Sequence, residues 1–473
     1  MRKNALLFGG IACFSVAALI AGLIALYVGL NYNAEIGSIP DSTTSVISES
    51  ESNDQDSINK EIRLPAQNPS PQSEANTEPV EQPVAKEDAP TFQPPSTTPF
   101  VVENNGVFEL PIEGSHGIAL IGLKVHLGDG AGGECGQVVS AGTPFTILID
   151  GETRVLGRFK DGSTGWLDKN YIMVNLPDII PSIIYKNSNA EASLMRNLGM
   201  EIEGVTGQQL YEVKVYNEKL DREEFIMPVQ YRTAEKIMEA QKIAKDRNLS
   251  IILYEGFRPY SAQTAVASAM RVMAGKNPDT KASLQKDGFS MDFYISAGVS
   301  NHQQGAAVDV SLARVSEWQD ESINGNVVSM PKLYEEFRYG KISTDAEDGV
   351  KFAGHQYRPS LPDDTTYWMP TPMHELSYLA GTFTGPTKTY SHGAWKTALD
   401  NGSVKRAEYW TDGAQKMQDI FVAAGMDPLA SEWWHFNDIE SRAVAKKAGA
   451  EGKFEAGTEL FSITPAKAIA MLP

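Results

Sequence analysis

Apolar and polar positions divide the chain into four stretches. Ala5–Leu30 is apolar apart from glycines, Ser15 and Tyr27. A signal-peptide core needs about 7–15 residues and a bilayer span about 20, so this run is long enough to cross. Arg2 and Lys3 precede it, which puts the N-terminus inside and the bulk of the chain outside. No small-x-small cleavage site closes the run, so residues 1–30 read as an uncleaved transmembrane anchor rather than a removed signal peptide. Residues 31–99 lose the pattern and fill with Ser, Glu, Asp, Asn, Gln and Pro. Too little apolar surface is available there to offset chain entropy, and a disordered acidic tether is expected.

From 100 to 176 short β-prone runs appear: Val138-Val139, Phe145–Ile149, Val155-Leu156 and Tyr171–Val174. Gly142-Thr143-Pro144, Asp150-Gly151 and Asp161-Gly162 punctuate them, the rhythm of a small all-β barrel or sandwich. From 177 to 473 the period changes. Tyr231–Asp246 carries Ala234, Ile237, Met238 and Ala244 at helical spacing. Ile251–Tyr254 reads as a buried strand, Ala262–Ala274 as a helix, and Val308-Asp309-Val310 as a strand that turns its aspartate away from two valines. Ala414, Met417, Phe421 and Ala424 form the stripe of a helix that stops at Gly425. The fold class expected is α+β, preceded by the small β unit.

The 473 residues allow two or three domains. A net charge of −19 offers no basic face for phosphates, which argues against a nucleic-acid partner. Two cysteines, Cys13 and Cys135, make no disulfide framework and no thiolate metal site. Cys13 also lacks the surroundings of a lipidation site. Any metal chemistry must therefore use His and carboxylates.

Such a set is present. His302 and Asp309 stand seven apart around Gly305-Ala306-Ala307, and Glu432 stands three before His435. Two imidazoles and a carboxylate leave a fourth position open, the arrangement of a catalytic zinc site rather than a closed structural one. Glu432 is then a spare acid placed to take a proton from an attacking water. Arg258, in Glu255-Gly256-Phe257-Arg258-Pro259, stands where a strand would end, and its planar fork suits a carboxylate.

Ser300-x-His302-x-x-Gly305-x-Ala307-x-Asp309, followed by Glu432-x-Trp434-His435-Phe436, resembles the zinc D-Ala-D-Ala peptidases: the DD-carboxypeptidases and D-Ala-D-Ala dipeptidases of vancomycin resistance and wall trimming. The likeness covers roughly the C-terminal 290 residues. It implies a zinc DD-peptidase fold with a small antiparallel sheet and flanking helices. One Zn2+ would be held by His302, Asp309 and His435, with Glu432 as catalytic base and Arg258 on the substrate. It extends to Gln263 and Ser300, which match positions that help hold substrate in parts of the family. Gly165–Ile172, with its Gly-Trp, resembles the closing strand of bacterial SH3-like domains, which bind wall peptides. A spacer without ligand is the alternative for that unit.

Peptidoglycan stem peptides, or free D-Ala-D-Ala, are the substrates the resemblance implies. The doubled Trp433-Trp434 leans to the dipeptidase branch. Yet Met373-His374 stands where dipeptidases carry Phe-Asp, whose aspartate receives the ammonium of the dipeptide. A DD-carboxypeptidase acting on wall peptides is the expectation. A dipeptidase, an LD-carboxypeptidase and an inactive wall-binding protein stay open. His116, His126, His355 and His392 fit no ligand spacing and are expected to be structural or surface residues.

Overall fold

The computed structural model describes residues 104–454 apart from 131–134, 187–213, 345, 346, 348, 349 and 353. The apolar run Ala5–Leu30 and the stretch 31–99 lie outside the described residues, among which no helix is long and apolar enough to cross a membrane. The described chain is mixed α/β, with several sheets and six α-helices.

The β-prone runs pair as strands. They are β1 (His116–Ala119), β2 (Leu123–His126), β3 (Cys135–Val139), β4 (Pro144–Asp150), β5 (Arg154–Arg158), β6 (Thr164–Asp168) and β7 (Ile172–Asn175). After β8 (Ile184–Tyr185) and the hairpin of β9 (Val215–Asn217) with β10 (Arg222–Glu224), β11 (Pro228–Gln230) returns to this first sheet. The strand order is β11-β7-β1-β4-β5-β6-β2-β3, so the sheet continues past residue 176 and takes its edge strand from the later part of the chain. Val229 pairs with Val174 there, and Pro228 takes the first position of an edge strand, where a missing N–H is tolerated.

A buried polar knot ties the hairpin down. Asp178 accepts from the backbone N–H of His116 at 2.9 Å and from Asn175 at 3.0 Å, lies 2.8 Å from His116 Nδ1, and also receives the Asn217 amide. Lys219 donates to Pro111 O and Ser115 Oγ beside it. Burial pushes the Lys219 ammonium down to about 8, against the pull of Asp178 and Glu113.

The second sheet carries the site. α1 (Tyr231–Lys245) buries Ala234, Ile237, Met238 and Ala244, the stripe its sequence spacing marks, and packs on β12 (Leu249–Glu255). Each large apolar side chain buried this way contributes about 1.5–3 kcal/mol. α2 (Tyr260–Lys276) and α3 (Pro278–Leu284) follow. β13 (Ala307–Ile323) and β14 (Asn326–Glu336) make a long hairpin. Its two-residue turn, Asn324-Gly325, takes positive φ at both positions (48° and 80°), the turn whose twist matches that of paired strands. The far end of the hairpin packs Ile323 and Val328 against Leu110 and Leu220.

Beyond the hairpin, β15 (Arg338–Tyr339), β16 (Lys341–Thr344), β17 (Val350–Phe352), β18 (His355–Ser360) and β19 (Trp368–Met369) build two small sheets. The chain then runs through α4 (Ala394–Asp400), α5 (Asp412–Ala423), β20 (Asp427–Pro428), β21 (His435–Asn437) and α6 (Ile439–Lys447). Thr411 caps α5 through Ala414 N, and Gly425 at φ +84° follows its end, the left-handed position glycine favours. The second sheet runs β20-β21-β13-β12-β8, with β14 paired to β13. One hydrophobic core joins both sheets, from Phe145 and Val174 to Trp434 and Phe436.

Candidate metal centre

Three neighbouring strands bring three acid–base side chains into one row. The β12–β13 register shifts between Leu253 and Glu255, so that Glu255 stands opposite Asp309. Such a bulge re-aims a side chain at a strand end. On the other edge of β13, Asp309 stands opposite His435 of β21. Directly paired residues hold their side chains within reach of each other, so Glu255, Asp309 and His435 converge without help from any loop. His302 arrives from the turn before β13, where Gly305 takes φ +62°. A Cβ on Gly305 would lie 2.5 Å from Met173 Sδ of β7 and 3.0 Å from Gln230 N of β11. Gln230 also holds the turn through its N–H on Gly305 O and its amide on Gln304 O, each at 2.8 Å. The first sheet is thus the floor of the His302 turn.

The potential ligand atoms are His302 Nε2, Asp309 Oδ1 and His435 Nδ1. They lie 3.1, 3.4 and 2.9 Å apart pairwise, and all three residues are buried. Zinc bonds of about 2.0–2.1 Å in a tetrahedron place donor atoms about 3.3 Å apart, so this set fits a metal ion without rearrangement. The outward nitrogens are also fixed. His302 Nδ1 lies 2.8 Å from Gly256 O, and His435 Nε2 lies 2.9 Å from Asn437 Oδ1. Each acceptor fixes a tautomer that turns a lone pair towards the centre. Burial lowers His435 below the ordinary imidazole range, which favours the neutral, ligating form. Burial alone would raise the Asp309 carboxyl, but the imidazoles of His302, His374 and His435 packed around it hold it well below the usual range.

Glu432 lies beside this cluster, its Oε2 3.7 Å from His435 Nδ1. Burial, then the charge of Asp309, pushes its carboxyl well above the usual range, against the pull of Arg258. A basic carboxylate next to a cation site is what a proton acceptor needs.

Arg258 binds Glu255 through Nε at 3.0 Å and through Nη2, gives Nη1 to Gln263 Oε1 at 2.7 Å, and brings Nη2 within 3.8 Å of Asp309 Oδ2. Burial would raise Glu255, but Arg258 and His302 together hold that carboxyl down. Gln263 is therefore joined to the site through Arg258. Ser300 donates its N–H and Oγ to Gln303 Oε1, and Gln303 Nε2 in turn donates to Arg258 O at 2.9 Å.

Two residues at the centre have no assigned role in the sequence reading. Glu255 was one step from a role, since it opens the Gly-Phe-Arg run, but only the strand register reveals its pairing with Asp309. His374, marked in the sequence as a departure, lies 2.9 Å from Asp309 Oδ2. Of the other histidines, His116 lies on Asp178 and His392 Nδ1 on Asp427 at 2.7 Å, away from the centre. Set beside known proteins, the chain matches no protein-family model, and no curated protein matches it.

Proposed function

We propose that the chain is a zinc peptidase that cuts the D-Ala–D-Ala bond of peptidoglycan stem peptides, acting as a D-alanyl-D-alanine carboxypeptidase in wall remodelling. The observation that carries the reading is a buried carboxyl, that of Glu432, next to an N,N,O donor set spaced for one tetrahedral ion. D-chirality and the zinc DD-peptidase fold rest on the motif resemblance alone. When bound, zinc supplies Lewis-acid polarisation of a scissile carbonyl and acidifies water. His302, Asp309 and His435 would hold it. Glu432 accepts the proton of the attacking water and returns it to the leaving amine. Arg258, steadied by Glu255 and Gln263, presents its guanidinium to the terminal carboxylate of the substrate. Ser300 contributes through Gln303.

Position 374 favours the tail of a stem over the free dipeptide. A dipeptide brings an ammonium into the site, and desolvating it without a carboxylate costs on the order of several kcal/mol. A stem peptide has an amide there. With His374 engaged to Asp309, kcat/KM for a stem pentapeptide should exceed that for free D-Ala-D-Ala by about tenfold or more. Mass spectrometry of digested muropeptides, with a parallel assay on the dipeptide, tests both. A clear preference for the dipeptide would move the assignment to the dipeptidase branch. Metal-loaded protein inert on every D-Ala substrate would move it to a wall-binding role, and cleavage one residue further in, freeing D-alanine from a stem tetrapeptide, would show LD-carboxypeptidase activity.

The proposed setting is a single-pass membrane protein with residues 31–99 as tether and the SH3-like unit and the catalytic part outside. The mature protein should keep its N-terminus and resist extraction by alkali, which N-terminal mass spectrometry and carbonate washing check. A mature N-terminus between residues 20 and 40 would establish cleavage instead.

A further inference from the structure

Asp309 uses its two oxygens differently. Oδ1 faces the other two ligand atoms, whereas Oδ2 faces His374 Nε2 at 2.9 Å and Arg258 Nη2 at 3.8 Å. A charged carboxylate only accepts, so the His374 nitrogen against it carries the hydrogen. The ring is held to that task from two sides. His374 has φ +58°, a left-handed conformation that non-glycine residues rarely take, and its ring packs edge-on against Trp434, centroids 5.6 Å apart.

Glu255, Asp309 and His374 also lie close enough to hold a cation of their own. The cation already there is Arg258, bound to Glu255 and reaching Asp309. A second metal ion would have to break that buried ion pair and sit against a guanidinium, a doubly unfavourable exchange.

We propose that His374 is a positioning residue of the metal centre. Its Nε2–H holds Asp309 Oδ2 outside the coordination sphere, so that Asp309 binds through Oδ1 alone and the fourth position stays open for chemistry. This rests on the metal reading of His302, Asp309 and His435, and not on which peptide is cut.

The test uses the detergent-solubilised full chain loaded with zinc or, for spectroscopy, cobalt(II). A crystal structure of the unaltered zinc-loaded protein should show one bound oxygen from Asp309 and a single metal ion; two bound oxygens, or a second ion on Glu255, overturn the proposal. His374→Ala should weaken metal binding about 10–100-fold in chelator competition, as loss of an outer-sphere partner does. Its cobalt spectrum should shift to the weaker bands of higher coordination, and kcat should fall more than KM changes. His374→Gln keeps an N–H of similar reach and should recover most of the affinity and the spectrum. His374→Ala with unaltered affinity and spectrum, or His374→Gln no better than His374→Ala, sinks the inference while leaving the peptidase reading standing. The expected metal responses in a protein inert on D-Ala peptides sink the peptidase reading alone, and an unaltered chain that binds no metal sinks both.

Discussion

Glu432→Gln should lower kcat about 10²–10⁴-fold while the protein keeps its metal, because the change removes the proton acceptor and no ligand. Glu432 is buried, with Oε2 3.7 Å from His435 Nδ1, beyond the spacing of the three donor atoms. The same variant has a second signature. In the metal-free protein, burial and the charge of Asp309 keep Glu432 protonated above the pH at which the unfolded chain releases that proton. The folded state then binds more protons than the unfolded one, so this residue makes stability fall as pH rises through and beyond the usual carboxylate range. Glutamine has no proton to lose. Metal-free Glu432→Gln should therefore be the more stable protein, by a margin that widens with pH. Turnover with metal analysis, and denaturant midpoints across pH, check the two halves. Folded Glu432→Gln that purifies without metal would show that Glu432 is a ligand.

Loss of a ligand should look different. His435→Ala or His302→Ala leaves two protein donors, and metal affinity should drop by more than the roughly 100-fold that outer-sphere losses cost. Activity should fall to background with it. The fold should survive, since β21 keeps its pairing to β13 and Trp433 and Trp434 stay in the core. Metal analysis after dialysis, with circular dichroism as control, reads the result. One tightly held equivalent of zinc in His435→Ala would remove His435 from the ligand set.

The part of the site legible in the sequence is the part that short spacings encode. His302 with Asp309, and Glu432 with His435, each lie within one turn or strand, so their types and intervals already limit the chemistry. Helix α1, strand β12 and helix α5 were legible because apolar periodicity is local. What depends on register was not. Glu255 meets Asp309 only because the β12–β13 ladder slips between Leu253 and Glu255, and no composition signals that slip. The contact between His374 and Asp309 joins positions 65 apart in the chain. The hairpin of β13 and β14 is a different case. Asn324-Gly325 is a strong local turn signal between strand-forming residues, present in the sequence and passed over there.

The floor under the His302 turn has a consequence for how the chain can be taken apart. Residues 100–176 read as an accessory in front of the catalytic machinery, yet Met173 of that stretch closes on Gly305, and β7 anchors the strand whose Gln230 grips the same turn. A chimera that kept 177–473 and replaced what precedes it would inherit every candidate metal donor and lose the surface that seats one of them. A bulkier residue at Gly305, or loss of Met173 or Gln230, would be felt directly at the turn that carries His302.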